Sequence, residues 1–183
     1  MIDKKPLPLF VAHKIKKGQT LEIVSPVASN FGYLAISGGF DAQQRLGSSS
    51  YCPGITDQQR LKKGQQLRFH KNELTLASLN ARIKPNTEIF NTNVVRVMAG
   101  PEYELLSKEQ KELLWNGRHT LSRSISRMGY RFKAHSKLGM EGILTGPVQA
   151  GTLQLTPSGE LIVLMRDAQT TGGYARILQL LPE

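Results

Sequence analysis

Apolar and polar positions change over in short runs along most of this chain, and many of the runs stop at a glycine or proline. That pattern predicts short strands joined by turns. Residues 9–24 give a strand, a basic turn at Lys16-Lys17-Gly18-Gln19, and a second strand from Thr20 to Val24. Phe31 to Ser37 carries apolar residues on both faces and ends at Gly38-Gly39, where glycine's tolerance of positive φ allows a sharp reversal. A polar, serine-rich stretch runs from Gly47 to Tyr51. Arg60 to Gln66 then repeats the Leu/Ile-Lys-Lys-Gly turn and leads to a strand at Leu67 to Phe69. This echo is too short to be an internal repeat.

Residues 80–93 are polar, with Lys84-Pro85-Asn86 and Asn91-Thr92-Asn93, and suit a junction. An N-terminal β subdomain over 1–92 and a C-terminal one over 93–183 are therefore expected. Val94 to Met98 reads as a strand closed by Gly100-Pro101. One short helix is predicted near 107–116, with Ser107 as N-cap, Gln110 at the capping-box position and Gly117 as the stop. Strand-like runs follow at Leu138–Leu144, Thr152–Leu155, Leu161–Met165 and Ala175–Leu181. Pro157-Ser158-Gly159 joins two of them into a hairpin. Regular alternation of strands and helices is absent, which excludes a Rossmann-type sheet. The expectation is a mainly β fold with one helix.

Composition narrows the function classes. Of 183 residues, 39% are apolar but only 7% aromatic, so the core rests on Leu, Ile and Val. The net charge of +10 suits a plain basic surface, an anionic substrate, an acidic partner subunit or nucleic acid. Its clusters are scattered, and no recognition helix or stacking sheet accompanies them, so nucleic acid is not expected. Cys52 is the one cysteine, which precludes an intramolecular disulfide and suits a reducing compartment. No apolar run approaches the roughly 20 residues of a membrane span, and Met1 to Phe10 lacks a signal-peptide core. A cytoplasmic location and no membrane are expected. His13, His70, His119 and His135 show no metal-ligand spacing, so no metal site is expected. P-loop, nucleophile-elbow and dinucleotide-binding patterns are all missing.

Two segments carry candidate chemistry. Met165 to Tyr174 is an apolar strand running into a polar turn, with Asp167 at the strand end. Consecutive amides in such a turn can bind carboxylate or phosphate; the pattern by itself favours a plain hairpin turn whose Thr hydroxyls cap the backbone. Ser124 to Arg131 places Arg127 and Arg131 around Met128-Gly129-Tyr130. Arginine's fork recognises carboxylate or phosphate, although a solvated surface strand would look the same.

Taken together, these segments resemble the allophanate hydrolase subunit 2 family, which includes the C subunit of 5-oxoprolinase and biotin-dependent (KipA-like) carboxyltransferases. Gln169-Thr170-Thr171-Gly172-Gly173-Tyr174, after Ile162 to Met165 and Asp167, is similar to the family's "IVLMaDxQTTGGYP". Arg127 to Arg131 resembles "SDRMGYR", with Ser126 in place of Asp. Gly151-Thr152-Leu153-Gln154 with Pro157 and Gly159 resembles "GaIQvPpdG". Tyr33 to Asp41, Gly47-Ser48 with Ser50, and Met98 to Pro101 match three further elements, with Tyr51 for Thr and, in the last third, Ala175 for Pro. The matches keep their order over 33–176. The family's usual opening elements, "TTIQDLGRxGxxxxGV" and "SGxMD", are not among them, so the resemblance is to the C-terminal part.

The resemblance implies a cyclophilin-like β-barrel and a subunit of a multi-subunit enzyme acting on a small amide or lactam. Foremost is ATP-dependent opening of 5-oxoproline to glutamate. Biotin-dependent carboxyl transfer and a non-catalytic role antagonising a kinase inhibitor are the alternatives. Implied partners are a subunit-1-type (KipI-like) protein and a third 5-oxoprolinase subunit. ATP would serve the complex, and carboxybiotin would arrive on another protein, since no Met-Lys-Met carrier site is present. The matched positions imply Asp167 and Arg127 as catalytic groups. Gln154, Gln169, Thr170, Thr171, Gly172, Gly173 and Tyr174 would bind substrate.

Overall fold

The strand Thr152–Leu155 (β5) is buried at every position, and the rest of the C-terminal fold is arranged around it. In this computed structural model residues 1–24, 30–52, 54–57, 60–70, 82–84, 92–134 and 136–181 are described. The chain divides into two units, Met1–Asn86 and Thr87–Glu183. Most of the polar stretch at 80–93 lies outside the described residues.

The second unit is mainly β. Its strands are β1 (Val97–Ala99), β2 (Thr120–Ile125), β3 (Gly129–Lys133), β4 (Gly146–Pro147), β5, β6 (Leu161–Leu164), β7 (Thr171–Gly172) and β8 (Ala175–Leu180). Six of them form one antiparallel sheet in the order β1-β8-β5-β6-β3-β2, and β4 pairs with β7 as a separate ribbon. The class is the mainly β, cyclophilin-like one that the resemblance implies. Within the described residues the large sheet stays open, with β1 and β2 as its edges rather than paired to one another.

Local sequence explains the main elements. Alternation puts Leu153 and Leu155 on one face of β5 and Thr152 and Gln154 on the other. The apolar face joins a core of Leu106, Leu114, Leu138, Leu161, Ala175, Ile177 and Leu178. The polar face is satisfied internally: Thr152 Oγ1 donates to Gln179 Oε1 at 2.9 Å, and Gln154 Nε2 donates to the Tyr174 carbonyl at 3.3 Å. Such pairing is what makes burial of polar groups tolerable. The tight turn at Pro157-Ser158-Gly159 closes the β5–β6 hairpin, with Gly159 at φ +83°. Helix α1 (Lys108–Asn116) has the expected capping box: Gln110 N donates to Ser107 Oγ, and Ser107 N to Gln110 Oε1. Gly117 ends it. Leu114 supplies its buried contact.

Three sequence expectations differ from the structure. Leu138–Leu144 does not form a strand. Leu138 is buried at the end of a short 3-10 turn, and the Gly139 backbone lies so close to the Pro157 carbonyl that a Cβ would collide with it. The segment is held by single bonds instead, such as Met140 N to Thr156 O and Ile143 N to Gly173 O. Residues 120–125, to which the pattern assigns no element, form β2 because their weakly amphipathic run pairs with β3. In the first unit, the described parts of 9–24 and 67–69 make isolated bridges rather than ladders, for example Val11 with Arg82 and Phe69 with Phe40, and among the described residues 31–37 takes part in none. Their apolar side chains remain largely exposed, so these segments lack the buried face that stabilises a strand. Among the described residues no helix is long and apolar enough to cross a membrane.

Candidate functional site

A glycine pair sits at the centre of the candidate site. In the β4–β7 ribbon Gly146 lies opposite Gly172, and Pro147 opposite Thr171. Each glycine has a long side chain from the main sheet against it. A Cβ on Gly172 would fall 2.7 Å from Gln154 Nε2, and one on Gly146 3.3 Å from Arg176 Nη1. Gln154 and Arg176 are themselves register partners across β5 and β8. The ribbon therefore lies over the polar face of the sheet, and the missing side chains let it approach. Further bonds fix its ends: Val148 N donates to Thr170 O, and Ile143 N to Gly173 O, both at 2.9 Å.

Arg176 is held in place by Glu102. Its Nε and Nη2 donate to the two carboxylate oxygens at 2.9 and 2.6 Å, and its backbone N–H adds a bond of 2.8 Å. Nη1 donates to the Pro147 carbonyl at 3.1 Å, tying the pair to the ribbon. Glu102 is buried, and the hydrogen bonds from Arg176 outweigh that burial and hold its carboxyl below the usual range. The same bonds raise the Arg176 guanidinium above its ordinary value. A β-bulge makes this possible: Leu153 faces Leu178 and Gln154 faces Arg176, leaving Ile177 as the extra residue. Its carbonyl accepts the Gly100 N–H. Sequence reasoning missed Glu102 and Arg176, which stand 74 positions apart. The available signal was Gly100-Pro101 immediately before an acidic residue.

Arg127 and Asp167 form a second pair. Arg127 sits in the turn between β2 and β3, and Asp167 follows β6. Arg127 Nε and Nη2 donate to Asp167 Oδ2 and Oδ1 at 2.6 and 2.8 Å. The Asp167 N–H returns a bond to the Arg127 carbonyl at 2.9 Å, and Met165 N–H bonds Met128 O at 3.0 Å. The two turns are thus stapled by side chain and backbone together. Ser126 keeps the turn-forming role that an aspartate has in an Asx-turn: its hydroxyl accepts the Met128 N–H at 3.2 Å. The Arg127 bonds outweigh the opposing effect of burial and hold the Asp167 carboxyl below the usual range. Both side chains stay nearly half exposed, at 41% and 46%.

The remaining sequence candidates divide. Gln154 packs against Gly172 of the ribbon and donates to the Tyr174 carbonyl. Gln169, Thr170 and Thr171 are exposed, as is the Tyr174 side chain. The glycines are thus accounted for by close packing and the ribbon's pairing. Among the described residues no three His, Cys, Asp or Glu side chains group as metal ligands.

The sequence of this antiparallel β domain places it in the carboxyltransferase class. The chain matches the family "Carboxyltransferase domain, subdomain A and B" over residues 1–183, and it belongs to that family. It is 31% identical over 189 residues to the C subunit of 5-oxoprolinase from Haemophilus influenzae, covering 99% of this chain and 59% of that protein. The corresponding 5-oxoprolinase protein of Escherichia coli, also its C subunit, is 32% identical over 170 residues, covering 89% of this chain and 53% of the relative. This chain therefore spans little more than half the length of these curated relatives. A crystal structure of the protein TTHA0988 shares the fold, with a TM-score of 0.59 at 23% identity over 81% of this chain and 28% of that one.

Proposed function

We propose that this chain serves in a 5-oxoprolinase-type complex, as part of the subunit that binds a small lactam. The observation that carries this reading is the match, over most of this chain, to two proteins that are each the C subunit of a 5-oxoprolinase. The intact ribbon over Gln154 and Arg176 supports it. Exposed Gln169, Thr170 and Thr171 at the ribbon's edge offer neutral hydrogen-bonding groups suited to a planar amide.

The geometry supports one shared positioning role for the two predicted catalytic residues. A carboxylate held ionised by a bidentate arginine is a weak base. Asp167 therefore orients a donor or positions the turn rather than abstracting a proton. Arg127 has its fork directed at Asp167 and serves the same end. ATP, the subunit-1-type partner and the third subunit belong to the complex in this reading, and no step is assigned to ATP on this chain.

The family match itself favours a second reading, biotin-dependent carboxyl transfer. The neutral groups around the ribbon suit the ureido ring of carboxybiotin as well as a lactam, because both present a planar N–H and carbonyl. The bound group would supply an activated carboxyl, and the chain would contribute Gln169, Thr170 and Thr171 as hydrogen-bonding partners. The cytoplasmic location belongs with either reading.

The test is Asp167→Asn in the reconstituted complex. Turnover of 5-oxoproline is expected to fall at least about tenfold, the scale of one lost charge-assisted contact, while the subunits still co-purify. Unchanged turnover sinks the assignment. ATP-independent carboxyl transfer from supplied carboxybiotin, which releases free biotin and no glutamate, favours the second reading.

A further inference from the structure

Two side-chain hydrogen bonds reach the β4–β7 ribbon from the sheet beneath it. Arg176 Nη1 donates to the Pro147 carbonyl on β4, and Gln154 Nε2 to the Tyr174 carbonyl just beyond β7. Pro147 has no backbone N–H, so its carbonyl is the group by which the sheet can hold β4 at this point.

The direction of the Arg176 bond is set by Glu102. A guanidinium is planar, and its Nε and Nη2 donors share one edge. The Glu102 carboxylate fills that edge, accepting from Nε at 2.9 Å and from Nη2 at 2.6 Å. A two-point contact of this kind fixes the plane. Nη1 is left pointing away from the carboxylate, 3.1 Å from the Pro147 oxygen. Glu102 is itself tied to β8: its N–H donates to the Arg176 carbonyl at 3.2 Å, and the Arg176 N–H donates to Glu102 Oε2 at 2.8 Å. Gly146 leaves room for the guanidinium, since a Cβ there would stand 3.3 Å from Nη1. Apolar residues of similar volume often hold a core as well as a buried ion pair does. What they could not supply is a donor aimed at the ribbon.

Pro147 is the register partner of Thr171, and Val148 donates its N–H to the Thr170 carbonyl. Whatever fixes Pro147 therefore fixes the backbone of these two exposed threonines. A chain of direct contacts runs from the buried carboxylate to the ribbon's exposed edge: Glu102 to Arg176, Arg176 to Pro147, Pro147 to Thr171.

We infer that Glu102 and Arg176 are positioning residues of the substrate site. The carboxylate aims the guanidinium, the guanidinium holds Pro147, and the ribbon presents Thr170 and Thr171 where a planar amide meets them. Neither Glu102 nor Arg176 touches the substrate. This role rests on the reading of the ribbon's edge as the lactam-binding face.

The test uses Glu102→Gln and Arg176→Lys. Glutamine has one acceptor oxygen, and lysine keeps the charge opposite Glu102 but has no fork, so each frees the ribbon by a different route. Arg176→Lys decides alone if Glu102→Gln does not fold. The first readout is backbone order in the full chain. In wild type, Val148, Thr170 and Thr171 are expected to be as rigid as β6, with order parameters of about 0.85; in either variant they fall below about 0.6 while β6 is unchanged. The second readout is 5-oxoproline kinetics in the reconstituted complex. Both variants are expected to raise KM at least about tenfold and leave kcat within about twofold, the pattern of lost binding rather than lost chemistry. Ser107→Ala destabilises the same unit through α1 and leaves both readouts at wild-type values, which separates positioning from loss of stability. An ordered ribbon in the variants overturns the inference. So does an unchanged KM in a complex whose wild type opens 5-oxoproline. A wild-type complex that never opens the lactam overturns the lactam reading itself, and the positioning role with it.

Discussion

Replacing Glu102 by Gln tests the buried pair beneath the ribbon. The Glu102 side chain is 12% exposed and that of Arg176 21%. Three Arg176 donors converge on the carboxylate, at 2.6–2.9 Å. Glutamine keeps the shape but has one acceptor oxygen, so part of this set loses its partner and the guanidinium loses its counter-charge. Breaking a fully buried ion pair costs about 3–5 kcal/mol. Discounted for the solvent that reaches Arg176, a loss of about 2–3 kcal/mol is expected. Urea unfolding followed by the fluorescence of Trp115, the single tryptophan and part of the second unit, measures it directly. The pH dependence supplies a second check. Glu102 is depressed in the folded state, so its stabilising effect is complete above the ordinary glutamate value near 4.5 and fades as pH falls through the lower folded value. The gap between wild type and variant should be flat at neutral pH and close on acidification. A neutral-pH difference below about 0.5 kcal/mol refutes the reasoning, since that is the scale of an exposed pair.

Gly172→Ala forces a methyl against Gln154 Nε2, breaks the Gln154–Tyr174 bond and is expected to cost about 1–2 kcal/mol in thermal or urea unfolding. Gly100→Ala is harsher, because its Cβ meets the Arg176 carbonyl, which is backbone and cannot swing aside; about 3 kcal/mol or failure to fold is expected, read from soluble yield and the urea midpoint. Ser107→Ala removes the α1 capping box at about 1 kcal/mol, measured by the same unfolding curve. Asp167→Asn breaks a half-exposed pair and should change stability by less than about 1 kcal/mol, so any large loss of turnover in that variant is not a folding defect.

Local chemistry made the second unit legible. Ser107, Gln110 and Gly117 mark both ends of α1, whose span is nine residues. Pro157-Ser158-Gly159 announces the β5–β6 hairpin, and the apolar runs on either side set its strands. The Arg127–Asp167 partnership was visible as two motifs but not as a contact, since it joins turns 40 positions apart. Glu102 and Arg176 were invisible for a similar reason: long-range ion pairs leave no periodicity. The double glycine reads as a turn that offers amides, whereas Gly172 is needed for close approach to Gln154. In the first unit the alternation of Thr20–Val24 and the apolar run at 31–37 are present, yet ladders do not form among the described residues. Alternation specifies which face is to be buried, and a strand forms only when something covers that face.

The position of Gln154 shows how fold and site are linked. It is polar at the centre of a fully buried strand, a placement that usually destabilises a core. Its bond to Tyr174 and its contact with Gly172 make it the floor of the ribbon. Gln154→Leu should fold, and in the complex its effect on turnover separates a substrate-facing ribbon from a purely structural one.

The most direct test of the lactam-binding role is 5-oxoproline turnover in a reconstituted complex, assembled with and without this chain. The chain is supplied together with a subunit-1-type protein and the third subunit, and glutamate release is followed with and without ATP. ATP-dependent glutamate is expected only when this chain is present, with loss of turnover in the Asp167→Asn complex. Glutamate formed equally well in its absence, or a fully assembled complex that never opens the lactam, contradicts that role.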